Sequence, residues 1–349
     1  MSDTETYAEV NHAQLVQEKA KQQVSTLKEK HKPLVTNIYT ADPSAHVFEG
    51  KIYVYPSHDI ESDSEINDNG DQYNMRDYHV LSVDANTGEG TDHGVALSLD
   101  EVPWANKQLW APDAAHCQGT YYLFFPARDQ HNIFRIGVAT SRSPAGPFTA
   151  EPDYLPGTFS IDPAVFEDDD GSYYLYFGGL WGGQLENWET EQFVENPQTK
   201  AADAPALPSK VAKLNSSLLA LDEPPRDIVV LDESGNPIKS GDNERRFFEA
   251  SWVHKHNGLY YFSYSTGDTH KIVYATGNSP YGPFTYRGIL LNPVLGWTNH
   301  HSIAEFEDKW YLFYHDSTLS GGCSHLRCVK MAEIHHNPDG TITTVNAYE

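Results

Sequence analysis

The sequence predicts an all-β protein: a five-bladed β-propeller with an N-terminal helical extension. Two kinds of repetition and one change of texture carry that reading. Five segments share one form, a polar residue, a short strand, a turn and then an aromatic strand. They are "DPSAHVFEGKIYVYPS" from Asp42, "DAAHCQGTYYLFFP" from Asp113, "DPAVFEDDDGSYYLYFG" from Asp162, "EASWVHKHNGLYYFSYS" from Glu249 and "HHSIAEFEDKWYLFYHD" from His300. A second repeat runs in frame with the first: "VATSRSPAGPF" and "VYATGNSPYGPF" are near copies, and their Ala139 and Ala275 each follow a segment start, Asp113 or Glu249, by 26 residues. After Pro33, helical patterning gives way to short aromatic and β-branched runs between Gly, Asp and Asn turns.

Each element follows from local chemistry. Residues 5–31 are rich in Ala, Gln, Lys and Glu and contain no Gly or Pro, and Val10, Leu15, Val16, Val24 and Leu27 fall loosely on one helical face. A helix is expected there, with residues 1–33 as an extension packed outside the main domain. The turn before each aromatic strand is Gly50, Gly119, Gly171, Gly258 or Asp308, six to nine residues after the leading polar residue. Five such units fit five blades of four antiparallel strands, whose innermost strands line a central channel. A β-sandwich with recurrent hairpins is the rival, but it does not require five equivalent units. The propeller domain spans 34–349. The Ala-, Pro- and Asp-rich stretch of about 195–245 is expected as an insertion between the third and fourth blades.

Composition narrows the function. The chain has 349 residues, 39% hydrophobic and 12% aromatic, enough for a large core, and a formal net charge of −25. Such a chain repels nucleic acid and anionic membranes, so neither is an expected partner. Three cysteines, Cys117, Cys323 and Cys328, show no metal-type pairing and fit a reducing compartment. With no apolar core of signal-peptide type near the N-terminus and no membrane-length apolar run, the expected location is the cytoplasm.

Asp42, Asp162 and Glu249 open three of the five units. A propeller gathers such positions around one mouth of its channel. Three carboxylates there raise one another's pKa values, which is costly unless they bind a cation or perform acid–base chemistry. Glycoside hydrolysis with inversion uses an acid and a base about 6.5–9.5 Å apart. Trp110, in "QLWAPD", sits where an aromatic could stack on a sugar or join the core.

Six motifs in order, "ADPSAHVFEGKIYVYPSHD", "WAPDAAHCQGTYYLFF", "IDPAVFEDDDGSYYLYFG", "ATSRSPAGPF", "FFEASWVHKHNGLYYFSYS" and "NHHSIAEFEDKWYLFYHD", span about residues 36–335. On these the chain resembles glycoside hydrolase family 43, five-bladed propeller glycosidases acting on arabinose- and xylose-containing polysaccharides. The resemblance implies Asp42 as the general base that activates water and Glu249 as the general acid. It implies Asp162 as the third acid, which tunes Glu249 and holds the sugar. The first histidine of "NHHS", His300, matches a family histidine near the sugar or on a calcium ion, with His301 as its near competitor. One imidazole is a weak warrant for an oxygen-seeking ion, so Ca2+ there would be largely hydrated. Arg327 matches an arginine of the terminal sugar site. His58 ends the first aromatic strand, where it contacts the sugar or makes a turn hydrogen bond; His46, His116 and His254 are read as packing residues.

The expected function is an inverting exo-glycosidase with β-xylosidase and α-L-arabinofuranosidase activity on xylo- or arabino-oligosaccharides. The sequence shows no carbohydrate-binding module and no room for the C-terminal sandwich found in part of the family. The N-terminal helix or the 195–245 stretch is expected to close the pocket instead. The rivals are an endo-arabinanase and a non-catalytic sugar-binding propeller.

Overall fold

The computed structural model describes residues 11–349. Five sheets form the blades. Blade I holds Tyr39–Phe48, Lys51–Asp59, Asp77–Asp84 and Glu89–Ser98. Blade II holds Asp113–Cys117, Thr120–Asp129, Phe134–Ser141 and Thr149–Ala150, with Ala105–Lys107 added beside its second strand. Blade III holds Ala164–Glu167, Tyr173–Phe177, Lys210–Lys213 and Arg226–Asp227. Blade IV holds Phe247–His256, Leu259–Thr266, Ile272–Gly277 and Phe284–Leu291, and Val230–Leu231 pairs in parallel with its last strand. Blade V has His301–Phe306, Lys309–Asp316 and Cys328–Ile334. The innermost strands touch in a closed ring, I to II to III to IV to V and back to I.

The aromatic runs are the second strands of the blades, and they explain themselves by alternation. Successive side chains on a strand face opposite ways. In blade II, Phe125 enters the cluster shared with blade I, which includes Tyr55, while Phe124 enters the one shared with blade III, which includes Leu175 and Phe177. In blade V, Phe313 packs toward blade I with Val54, and Leu312 and Tyr314 pack toward blade IV with Tyr261. A blade pressed between two neighbours must be apolar on both faces, so these strands read as unbroken aromatic runs rather than as alternating patterns. Each large side chain buried this way contributes about 1.5–3 kcal/mol.

The ring closes through the N-terminus. Leu34 N–H donates to Val329 O at 2.8 Å and Pro33 bridges to Lys330, so the segment before blade I takes the outer-edge position of three-stranded blade V. The helix runs over His12–Gln23, capped by the Asn11 side chain on Gln14 N, and a 3-10 turn follows at Val24–Thr26. It stops short of the expected end at residue 31. The first part of that expectation, including Val10, lies outside the described residues. The helix buries Ala13, Gln17 and Ala20, and Ala13 packs in the same cluster as Tyr73, Met75 and Trp297.

One expectation is corrected. Residues 195–245 are not an insertion between blades III and IV. They contain the third and fourth strands of blade III, Lys210–Lys213 and Arg226–Asp227, and the edge strand Val230–Leu231 of blade IV. The true excursion lies inside blade III, between Phe177 and Lys210. Strands of two to four residues are too short to show a period.

Candidate active site

One position per blade meets at a single mouth of the channel. Asp42, Ala111, Asp162, Glu249 and His300 all line one pocket, open to solvent on one side. The backbone is bent there. Asp42 and Asp162 adopt left-handed φ values of 48° and 57°, and in blade IV the bend falls one residue later, at Ala250 with φ 64°. Aspartate tolerates this region better than most side chains, and such strain concentrates at functional sites.

In blade II the position belongs to Ala111, not to Asp113. Asp113 stands two residues further along, fully buried. Its Oδ1 meets His46 Nε2 at 2.6 Å and accepts Ala114 N–H, and its Oδ2 accepts Val165 N–H at 2.6 Å. It ties three inner strands together.

Asp42 is held in place by donors. Its Oδ2 accepts from Ser57 Oγ at 2.6 Å and its Oδ1 from Arg327 Nη1 at 3.0 Å. Its backbone N–H donates to His315 Nδ1 at 2.9 Å. Burial alone would raise the pKa of Asp42, but the Arg327 guanidinium, with His315, His300 and the Ser57 hydrogen bond, brings it down to about 2. His315 itself is neutral near pH 7, because burial and then Arg327 lower its pKa to about 3.

Glu249 has the opposite setting. No side-chain hydrogen bond anchors its carboxyl, which remains partly exposed to the cavity. Burial first and the negative charge of Asp42 second raise its pKa to about 8, with Arg327 opposing. Asp162 is also raised, by burial, by Glu249 and by Asp42. Its Oδ2 accepts Ala250 N–H at 2.9 Å and lies 3.7 Å from His300 Nε2. The Ala250 N–H favours negative charge on Asp162 and Glu249 has no such donor, so the two carboxyls share a proton that this hydrogen bond draws toward Glu249.

Arg327 lines the cavity as expected, yet most of its donors are spent on protein. Nε and Nη2 bind the two oxygens of Asp59 at 2.8 Å each, and Nη1 reaches both Asp42 and Thr298 Oγ1 at 3.0 Å. Its contacts are with Asp59 first and Asp42 second rather than with open space. Trp110 is a wall of the pocket: its Nε1 donates to Tyr73 O and its ring packs on Phe134.

His58 is not at the cavity. Ser57 and Asp59 face Asp42 and Arg327, so alternation turns His58 to the other face, where its Nδ1 meets Asp77 Oδ1 at 2.5 Å. The expected sugar contact is therefore withdrawn. His46 and His254 lie outside the pocket: His46 stacks on Phe48 and is tied to Asp113, and His254 lies against Tyr261 and Trp310.

At His300, Nδ1 accepts His301 N–H, which puts the proton of the neutral ring on Nε2. Nε2 is buried without a partner and faces the cavity. His301 faces elsewhere, onto Ser263 Oγ at 2.6 Å. Among the described residues no three ligand atoms gather around His300. This donor set fits a calcium ion only through water: it offers an N–H and the nearby Asp162 oxygen, not an oxygen cage.

Several site residues escaped the sequence reading. Ser57 and His315 bind Asp42, and Asp59 and Thr298 hold the Arg327 that reaches it. Trp181, Trp297, Tyr73 and Phe248 form the aromatic walls. Two loops meet across one side: Arg128 Nη2 binds both Asn69 Oδ1 and Gly182 O, and a Cβ on Gly182 would sit 2.4 Å from Asn69 O. The helix braces this rim, since Ala13 N–H and His12 N–H donate to Asp68, which lines the cavity, and His12 packs on Trp181.

An ionised carboxylate and a protonated carboxyl sharing one aromatic-walled pocket are what acid–base cleavage of a glycosidic bond requires, and the molecule is a glycoside hydrolase. The model of glycosyl hydrolases family 43 matches residues 31–342, and the chain belongs to that family. It is 58% identical over 321 residues to xylosidase/arabinosidase 43A of Humicola insolens, covering 89% of this chain and 98% of that protein. It is 47% identical over 309 residues to a β-xylosidase of Xylanibacter ruminicola, covering 88% and 97%. Among solved structures, CoXyl43, a GH43 β-xylosidase/α-arabinofuranosidase from a compost metagenome in complex with xylotriose in a calcium-free form, is 61% identical. It superposes with a TM-score of 0.90 over 92% of this chain and 99% of that one. A GH43_1 enzyme of Xanthomonas citri complexed with xylotriose is 52% identical, with a TM-score of 0.89 over 95% and 98%.

Proposed function

We propose that this enzyme is an inverting exo-glycosidase that releases terminal xylose or arabinofuranose from short hemicellulose oligosaccharides. The observation that carries it is the split between Asp42, held ionised at a pKa of about 2, and Glu249, held protonated up to about 8, in one pocket. Asp42 takes a proton from the attacking water; Ser57 and Arg327 fix its two oxygens while leaving lone pairs for that water. Glu249, whose carboxyl has no hydrogen bond within the protein, gives its proton to the departing glycosidic oxygen. Asp162, anchored by Ala250 N–H, faces the sugar and keeps the proton of Glu249 in place. The contact between Asn69 and Gly182 supports exo action, because it walls off a side that an endo-acting groove would leave open. The substrates named for the related enzymes support the sugar class.

A calcium ion beside His300 would be held largely by water and would add positive charge near Asp162, favouring its ionised form. Location in the cytoplasm remains part of this reading. No described helix is long and apolar enough to cross a membrane.

Hydrolysis of p-nitrophenyl β-xyloside against p-nitrophenyl α-L-arabinofuranoside, with and without a chelator, tests substrate and metal together. Proton NMR of the first-formed anomer tests inversion. Turnover of neither glycoside, or a product that keeps the anomeric configuration, refutes the reading.

A further inference from the structure

The second strand of blade I uses its two faces for different purposes. Ser57 and Asp59 serve the pocket, and His58 between them serves a cluster outside it. The register Ile52↔Val83, Tyr53↔Ser82, Val54↔Leu81, continued along the strand pair, sets His58 opposite Asp77. His79 stands two residues beyond Asp77 and so shares its face. The His58 and His79 ring centroids are 4.5 Å apart. One ligand atom from each of His58, Asp77 and His79 lies within 4.8 Å of the others, and among the described residues this is the one group of histidine, cysteine or carboxylate side chains so arranged. The three side chains are 16%, 26% and 11% exposed, which leaves an entry path from solvent.

A hydrogen-bonded pair of strands explains His58 and Asp77. It does not explain the setting of His79. His79 Nδ1 lies 2.8 Å from Asp92 Oδ1, and Asp92 also accepts Gly94 N–H at 2.8 Å and Asn37 Nδ2 at 3.0 Å. An ionised Asp92 only accepts, so the proton of His79 is on Nδ1 and its Nε2 lone pair is free. A carboxylate behind a histidine is the arrangement that orients and strengthens metal-ligating imidazoles. Two imidazole nitrogens and one carboxylate oxygen suit zinc-type ions. They are too rich in nitrogen for calcium or magnesium.

We propose that His58, Asp77 and His79 form a binding site for a first-row transition-metal dication of the zinc type, with Asp92 as the outer support of His79 and water completing the coordination. The site lies on the face of the strand opposite to Asp59 and is separate from the channel histidine His300.

Cobalt(II) is the probe, because its visible absorption reports coordination independently of catalysis. The full chain, stripped with chelator and dialysed, is expected to bind one Co2+ per molecule, displaced by Zn2+ and not by a hundredfold excess of Ca2+. His79→Gln and Asp77→Asn are each expected to weaken binding at least tenfold, and Asp92→Asn about tenfold, as for the outer partners of metal-bound histidines. Metal-free thermal melts check that each variant is folded; if Asp77→Asn melts early, His58→Gln serves in its place. The other imidazole cluster, in which His254 and His336 are 2.9 Å apart and His256 stacks on His336, is the control. Binding that survives His79→Gln and His58→Gln, that is lost in His336→Gln, or that calcium displaces overturns the proposal.

Discussion

The two sides of the active-site pocket treat a buried carboxyl group in opposite ways. On the blade I side, Asp42 meets a guanidinium, a hydroxyl and a ring nitrogen at its backbone, and its pKa falls to about 2. On the blade III and IV side, Glu249 receives no donor, sees only the charges of its neighbours, and its pKa rises to about 8. Both groups are taken out of bulk water, so burial does not distinguish them. Partners do: Arg327 lies against Asp42 and opposes the shift of Glu249 only from a distance. One cation, placed off-centre, holds one carboxyl ionised beside a protonated one, which is the split the proposed base and acid need.

The largest effects come from removing either end of this asymmetry. Asp42→Asn and Glu249→Gln are each expected to lower kcat on xylobiose by about 10²–10⁴-fold, the usual range for a positioned acid or base. They differ in a diagnostic way. p-Nitrophenolate leaves without a proton, so Glu249→Gln should lose much less on the aryl xyloside than on xylobiose, while Asp42→Asn should lose the same on both. Equal losses for Glu249→Gln on the two substrates would remove it from the acid role.

Arg327→Met comes next, since it takes away the cation itself. Asp42 and Asp59 are then left buried without a counter-charge, a cost of about 3–5 kcal/mol. The sign follows from Asp42. Its depressed pKa contributes stability that is present above its ordinary value near 3.8 and is lost as pH falls through about 2. Without Arg327 that pKa rises, so the variant should lose most stability at neutral pH and least in acid. In the folded fraction, the acidic limb of kcat/KM should move up by more than one pH unit. Chemical denaturation at pH 4 and pH 7 and a pH–rate profile check both; an unmoved acidic limb would show that Arg327 does not set the base.

Much of this site was legible in the sequence, and the omissions have a common cause. Asp42, Asp162 and Glu249 could be found because each opens a unit of a repeat, and the propeller turns equal repeat positions into spatial neighbours. Asp59, Ser57 and His315 lie inside strands, where function depends on which face a residue takes. In the run Ser57-His58-Asp59 the histidine looked the most chemical, and alternation sends it away from the pocket. Asp113 misled for the opposite reason: it sits at the head of a blade strand, two residues past the position that faces the cavity. Trp181 and Trp297 lie on loops outside the repeat, with no register to place them. The strands within 195–245 are too short to announce themselves.

A smaller effect separates Asp162 from Glu249. Asp162→Asn keeps the shape and the acceptor for Ala250 N–H but removes a negative neighbour of Glu249. The pKa of Glu249 should then fall, and the alkaline limb of the rate profile, near 8 in the parent, should move to lower pH. Some kcat is expected to be lost with it, because Asp162 also lines the pocket. An alkaline limb that stays in place would mean that burial and Asp42 alone hold the proton of Glu249, and that Asp162 only positions the sugar.

The smallest expected effect is the sharpest test of the strand argument. His58 and Asp59 are adjacent, yet their side chains belong to opposite faces of blade I. Asp59→Asn weakens the bidentate grip on Arg327, lets the guanidinium turn further toward Asp42 and disturbs the base, with an expected loss of about tenfold or more in kcat/KM from one impaired charge-assisted contact. His58→Gln, assayed in chelator so that no metal bears on the result, touches only the Asp77 and His79 side. It is expected to leave kcat and KM within twofold of the parent. If His58→Gln instead raises KM for xylobiose while Asp59→Asn does little, the strand faces the pocket with the other parity. The assignment of Arg327 to the base would then fail with it.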